Sequence, residues 1–155
     1  MMPLQALAVT DTTAGGALLV LAIVMPAVAL VALLGLGGRC ARFIVAAALL
    51  FQLYVAMRVA LLVAGTGAPL VYVVGGFHPP LGIMLRADGI SALMMVVSAI
   101  ISAAAAGFAW KDFGQPRAKP EARLSLIFWS SLLAMASALN LLFTSTDLFN
   151  LYVGL

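Results

Sequence analysis

An aspartate and an asparagine lie three positions apart in the stretch TSTDLFNLYVGL, which covers residues 144–155. On a helix, Asp147 and Asn150 share one face, and apolar side chains separate them along the chain. Asp147 is one of three candidates for an ion pathway.

Arg58 and Asn140 are the other two ion-pathway candidates. Arg58 is the single charge inside a long apolar run, and a guanidinium near the bilayer centre is costly unless it has a function. It lies six residues before Ala64, about 9 Å by helical rise. Three roles therefore stay open for Arg58: its side chain snorkels to the interface, pairs with another helix or takes part in ion movement. Asn140 supplies an amide that can bond to a neighbouring helix or to a water chain.

Other chemistry is poorly represented in the chain. Cys40 is the only cysteine and His78 the only histidine, so the chain alone forms no disulfide and no metal site with several such ligands. There is no Gly-rich phosphate loop and no Ser/His/Asp arrangement. We therefore expect no catalytic residue, no cofactor and no metal, and no enzyme activity of the chain on its own.

Composition places the protein in a membrane. Of 155 residues, 65% are hydrophobic and only 8% are charged, whereas soluble domains carry roughly a quarter charged residues. The formal net charge of +3 is too small to indicate a nucleic-acid partner. We predict an all-α polytopic helical bundle that forms a single membrane domain over residues 1–155.

Four complete spans are predicted, and each is long enough to cross about 30 Å of hydrocarbon. They cover about 17–36, 43–64, 89–110 and 124–146. A fifth begins at about 148 and holds eight residues, about 12 Å of helix, which cannot cross. Residues 65–87 are predicted to form a structured outer loop, with two short extended segments around Gly75-Gly76 and Pro79-Pro80. Asp88 should cap the third helix.

Small residues at helical spacing predict where the spans pack closely. In the third span the stripe contains Ser91, Ser98, Ser102 and Ala109. In the fourth span it contains Ser130, Ala134, Ser137 and Leu141.

Basic residues set the predicted orientation. The two loops between spans one and two and between spans three and four hold Arg39, Arg42, Lys111, Arg117, Lys119 and Arg123, whereas the N-terminal tail and the 65–87 loop hold only Arg86. Because basic residues are enriched on the cytoplasmic side, the N-terminus should lie outside. Asp147 then lies at the outer surface.

Two motifs resemble one family of membrane proteins. TSTDLFNLYVGL resembles the start of the fifth transmembrane helix of the antiporter-like proton-translocating subunits, and GGFHPPLGIMLRADGISALM resembles the outer loop and third-helix entry of the same subunits. Together the motifs cover about a fifth of the chain. The likeness is greatest to the D subunit of Mrp-type multisubunit cation/proton antiporters. One departure is the TST before Asp147, where that pattern usually has Thr-Gly.

The resemblance implies a function in ion translocation. In this family a subunit has about fourteen helices, and a fifth-helix glutamate with later intramembrane lysines moves the protons. The present sequence stops one position before that glutamate, so we expect an N-terminal part of such a subunit, from a truncated or split reading frame or a partial sequence. Its role would be to supply scaffold and outer mouth for proton/sodium translocation.

Two alternatives stay open at this point. The chain also resembles the antiporter-like subunits of NADH:quinone oxidoreductase and membrane-bound hydrogenases, where translocation is linked to redox chemistry. The second alternative is a small structural four-span protein without transport activity. Expected partners are further membrane subunits, the lipid bilayer, protons and, in an antiporter, sodium. The expected location is the bacterial inner (cell) membrane.

The predicted orientation can be tested with fused reporters. A reporter after Arg117 should report cytoplasm and one after His78 should report the outside, because of the basic bias of the loops. Alkaline phosphatase and green fluorescent protein fusions give opposite readings on the two sides. Both fusions on the same side would contradict the four-span topology.

Overall fold

The computed structural model describes residues 12–36, 41–74, 83–113, 119–146 and 152. For residues 111–113 and 119–122 it describes the backbone only. In chain order its elements are α1 (Ala17–Leu36), α2 (Ala41–Thr66), β1 (Leu70–Val73), β2 (Met84–Ala87), α3 (Gly89–Phe113) and α4 (Lys119–Thr144). Each helix is long and apolar enough to cross a membrane. The predicted all-α membrane bundle of four complete helices is therefore confirmed.

Several predicted features fall outside the described residues. Asp147 and the start of the fifth helix are among them, as are Cys40 and His78. The N-terminal orientation remains a prediction from the loop charges.

The buried faces of α2 and α3 advance along each helix in steps of three and four residues. In α2 the buried positions include Ala41, Val45, Ala48, Gln52, Val55, Val59 and Val63. In α3 they include Ala92, Met95, Ala99, Ser102, Ala106 and Ala109. This is the spacing of helices that pack side by side as in coiled coils. Many of the buried residues are alanines, which lets the two backbones approach closely.

The four helices form a closed ring. α1 packs against α2 and α4, and α3 packs against the same two helices. Inside the ring the apolar side chains form two clusters, one towards the end that carries the strands and one towards the other end. The second cluster contains Trp129, which is fully buried and makes edge contacts with Trp110 and Phe128 at ring centroid distances of 6.3 and 5.1 Å.

A small sheet closes one end of the bundle. β1 and β2 are antiparallel, with Leu70 opposite Ala87 and Val73 opposite Met84. They are two short extended segments within the 65–87 loop. Gly67 ends α2 with φ +62° and donates its N–H to the Val63 carbonyl at 3.0 Å, a left-handed helix stop that favours glycine.

Segments next to α1 and α4 extend this sheet on its two sides. Thr13 donates its N–H to the Val71 carbonyl at 2.9 Å, and its hydroxyl accepts the Val71 N–H at 2.9 Å. Ser145 pairs with Leu85, and the Thr146 hydroxyl donates to the Met84 carbonyl at 2.6 Å. We call residues 12–13, β1, β2 and 145–146 the end cap. It joins the neighbouring ends of all four helices.

The predicted packing stripe of α3 is buried at three of its four positions, Ser91 being half-buried, and the predicted stripe of α4 is partly wrong. Ser98, Ser102 and Ala109 are buried in the bundle. In α4, by contrast, Ala134 is exposed. The buried face of α4 instead runs through Trp129, Leu133, Ala136 and Asn140, and the bulky side chains of Trp129 and Leu133 fill the ring.

The close approach of α2 and α3 gives a stability prediction. Ala99→Leu should destabilise the fold by about 1–3 kcal/mol, since extra methylenes in a filled core force strain. Ala104→Leu is the matched control, because Ala104 is exposed on the same helix and should change stability by less than about 0.5 kcal/mol. Unfolding by denaturing detergent in mixed micelles measures both. Equal effects would contradict the described α2–α3 interface.

Candidate functional site

A layer of polar residues and one proline separates the two apolar clusters. Along α2, Gln52 lies between Leu49 of one cluster and Val55 of the other. Ser102 occupies the equivalent position in α3, between Ala99 and Ala106. Pro26 in α1 and Asn140 in α4 complete the set. We call Pro26, Gln52, Ser102 and Asn140 the central polar layer, and all four side chains are buried.

Pro26 explains the polar contacts between α1 and α4. Proline has no N–H, so the Ala22 carbonyl, four residues earlier, cannot receive its usual helical hydrogen bond. The Asn140 side-chain amide donates to that carbonyl at 2.8 Å. The Ser137 hydroxyl donates to the next carbonyl, Ile23, at 2.9 Å. Two side chains of α4 thus satisfy backbone acceptors of α1 at the proline, where lipid could not.

Three residues of the layer keep buried polar atoms without a hydrogen-bond partner among the described residues. They are both amide atoms of Gln52, the Ser102 hydroxyl and the Asn140 Oδ1. Buried polar groups are normally satisfied by protein or ordered water, and leaving one unsatisfied costs about 1–3 kcal/mol. The layer therefore has the chemistry to hold water or to pair across the ring. It contains no ionisable group, so it cannot change charge.

The structure describes two of the three sequence-predicted site residues, Arg58 and Asn140, and it does not bring these two together. Asn140 faces the inside of the ring and makes the helix-to-helix bond that was one of its two predicted roles. Arg58 is exposed on the outer surface of α2. Its side chain therefore does not belong to the central polar layer. Asp147 lies outside the described residues, so its place as an ion-pathway residue stays a prediction.

Asp88 caps α3 as predicted. Its Oδ1 accepts the Ser91 N–H at 2.8 Å, and its carbonyl accepts the Ala92 N–H at 2.9 Å. Hydrogen bonding to the Ser91 amide, assisted by Ile90 and by the charge of Arg86, lowers the pKa of Asp88. A depressed pKa means that the cap contributes stability at neutral pH and loses it as the pH falls through the folded-state pKa.

Side chains of the metal-ligand types are not clustered in the part of the chain that the structure describes. No three His, Cys, Asp or Glu side chains within it are grouped to hold a metal ion.

Sequence reasoning missed the link between Pro26 and Asn140. A signal was available, because a proline within a span always leaves one carbonyl in need of a donor. Gln52 was also missed as a site residue. Its position on the three-and-four spacing of α2 would have placed it inside the bundle.

Comparison with known proteins gives a match among solved structures. No protein-family model matches the chain, and no curated protein does. Among solved structures, the chain is similar to a chain of the membrane-bound sulfane sulfur reductase, described as an archaeal respiratory membrane complex. The TM-score is 0.72 and the sequence identity 25%, over 90% of this chain and 27% of that chain.

The match covers most of this chain but only part of the similar chain. The protein spans about a quarter of the length of the similar chain and shares its fold over that part. Its four helices can each cross a membrane. The protein is an integral membrane protein whose helical bundle has the fold of a segment from a respiratory membrane complex.

The Pro26–Asn140 contact can be tested by a double-mutant cycle. Asn140→Ala should destabilise the bundle by about 0.6–1.7 kcal/mol, the range of hydrogen bonds between membrane helices. In a Pro26→Ala background the cost should shrink, because residue 26 then donates its own N–H to the Ala22 carbonyl. Detergent unfolding of the four proteins gives the coupling energy.

Ser130→Ala provides the control for this cycle. The Ser130 hydroxyl donates to Ile127 within α4 at 2.9 Å, so it should not couple to Pro26. If the cost of Asn140→Ala is the same with and without Pro26, the hydrogen bond does not serve the carbonyl that the proline leaves open.

Proposed function

We propose that the chain is the N-terminal part of an antiporter-like subunit in a multisubunit membrane complex that moves protons, with sodium as the exchanged cation. In this proposal α1 to α4 form scaffold, and the segment that begins at Asp147 lies at the outer mouth of the ion path. The observation that carries it is the fold shared with a chain of a respiratory membrane complex. The TSTDLFNLYVGL motif supports it independently.

The internal chemistry of the bundle supports a scaffold role for α1 to α4. The described interior contains amides and hydroxyls but no carboxylate, lysine or histidine. Two of the α4 polar groups, Ser137 and Asn140, join helices instead of facing an open channel. A path for protons across about 30 Å needs a connected series of ionisable or water-lined groups. Proton movement is therefore assigned to the complete subunit.

Asp147 has the most direct role in this proposal. The resemblance implies an intramembrane glutamate further along the fifth helix. A negative charge at the outer mouth raises the pKa of a nearby carboxyl, because like charges disfavour ionisation. Removing that charge should lower the pKa. Asp147 would then tune the pH at which the glutamate releases its proton.

A redox-linked complex is the second candidate for the same bundle. The similar chain belongs to a reductase that is itself a respiratory membrane complex. In that case the chain would contribute to proton pumping coupled to electron transfer in another subunit. The two candidates differ in whether proton flux needs sodium or a reductant.

Ion transport in the intact complex tests the proposal. Everted membrane vesicles that contain the complete complex are energised, and a pH-sensitive dye follows proton release after addition of sodium. Asp147→Asn should lower the flux and move its pH profile towards acid by at most about one unit, the effect of a single charge at an effective dielectric of about 20. Asp147→Glu, which keeps the charge, should retain the original profile.

Two further measurements separate the alternatives. Purified chain alone in liposomes should leak protons no faster than empty liposomes. Flux in the complex that requires a reductant and ignores sodium would assign the chain to a redox-linked pump. No loss of flux on removal of the chain from the complex would leave only the structural function and would refute the proposal.

A further inference from the structure

A groove runs along the outside of the bundle between α2 and α3. Its volume is about 580 Å³, within the range of small-molecule sites. Its walls are apolar side chains that include Met57 and Ala60 of α2 and Leu93 and Val96 of α3. Arg86 and Asp88 lie at the end next to the sheet. The groove is thus charged at one end and apolar along the rest.

The depth of the groove matches one leaflet of a bilayer. Met57 lies nine residues before the end of α2 at Thr66, which is about 13 Å by helical rise. Val96 lies seven residues after the start of α3 at Gly89, about 10 Å. Half of a hydrocarbon core of about 30 Å is about 15 Å. A molecule in the groove would therefore have a polar end at the membrane surface and an apolar part in one leaflet.

The two charges at the mouth have opposite sign. Arg86 is half-buried and Asp88 is exposed. The capping hydrogen bonds and the Arg86 charge lower the pKa of Asp88, so its carboxylate is ionised at neutral pH. A guanidinium can bind a phosphate through two parallel N–H donors. A carboxylate accepts hydrogen bonds and favours a cation that carries N–H groups.

We propose that this groove binds a phospholipid with a phosphoethanolamine headgroup. The lipid phosphate contacts Arg86, its ammonium group contacts Asp88, and one acyl chain lies against Leu93, Met57 and Val96. Phosphatidylcholine has no N–H on its ammonium group and cannot donate to Asp88. Phosphatidylglycerol has no cation to offset the Asp88 charge. The charge pair at the mouth thus selects one headgroup, and this selection is independent of the proposed ion transport.

Native mass spectrometry with matched lipids tests the headgroup. The purified protein is titrated with phosphatidylethanolamine, phosphatidylcholine and phosphatidylglycerol of identical acyl chains. Phosphatidylethanolamine should bind most tightly, by about two- to fivefold, the range of a partly exposed charge pair. Arg86→Gln should lower this affinity. Asp88→Asn keeps the helix cap, because asparagine caps as well as aspartate, yet it should abolish the preference over phosphatidylglycerol.

A second pair of variants tests the apolar part of the groove. Leu93→Trp should fill the groove and lower the binding of the ethanolamine lipid. Leu34→Trp is the matched control, since Leu34 is 65% exposed and Leu93 is 57% exposed but only Leu93 lines the groove. Far-ultraviolet circular dichroism should show the same helix content in all variants.

In the binding experiments with purified protein, any of three results overturns the proposal. These are equal binding of the three lipids, a preference for phosphatidylglycerol, and equal effects of Leu93→Trp and Leu34→Trp. Lipid analysis of the intact complex adds a separate check. Ethanolamine lipid should copurify with the wild-type complex and be depleted in the Arg86→Gln complex. If another protein segment covers the groove in the complex, the lipid will be absent from both, and the assignment fails.

Discussion

The bundle depends on a backbone carbonyl that cannot be satisfied within its own helix. Pro26 deprives the Ala22 carbonyl of its donor in a region where lipid offers none. Asn140 supplies that donor from α4, and Ser137 adds a bond to Ile23 beside it. These contacts fix how far along its axis α4 lies against α1. Since α1 and α4 are the first and fourth helices of the ring, the same contacts close it.

Other contacts hold the rest of the ring together. The buried alanines of α2 and α3 let those helices lie close together on the opposite side of the ring. The end cap holds the neighbouring ends of all four helices through Thr13, Val71, Met84 and Thr146. Trp129 fills the other end between α3 and α4. The hydrogen bonds that join different elements are thus concentrated at Pro26 and in the end cap, while dispersion contacts between apolar side chains hold the remaining helix surfaces together.

The four spans were predictable from the sequence because an apolar run of about 20 residues with few or no charges is typical of a transmembrane helix. The three-and-four spacing of apolar residues also indicates which faces of α2 and α3 are buried. Asp88 was identifiable as a helix cap because it directly precedes an apolar run. The buried face of α4 was less evident. Its serines suggested one stripe, but the bulk of Trp129 and Leu133 turned a different face inward.

The candidate site was harder to predict, because its residues act across the ring. Asn140 and Ala22 are 118 positions apart, and a sequence pattern does not show which carbonyl an amide will reach. Arg58 was singled out because it is charged. It lies exposed on α2, so its place as an ion-pathway residue stays a prediction.

The separation of Ala22 from Asn140 also affects how the protein is made. Ribosomes add about 5–20 residues per second, so the 118 positions that separate the two partners require about 6–24 s of synthesis. During that interval the Ala22 carbonyl of α1, which Pro26 leaves without a helical donor, has no hydrogen bond from α4. A nascent α1 must therefore remain near water, the insertion machinery or α2 until α4 arrives. Because α4 is translated after the other three helices, the hydrogen bond to the Ala22 carbonyl of α1 is the last to become possible.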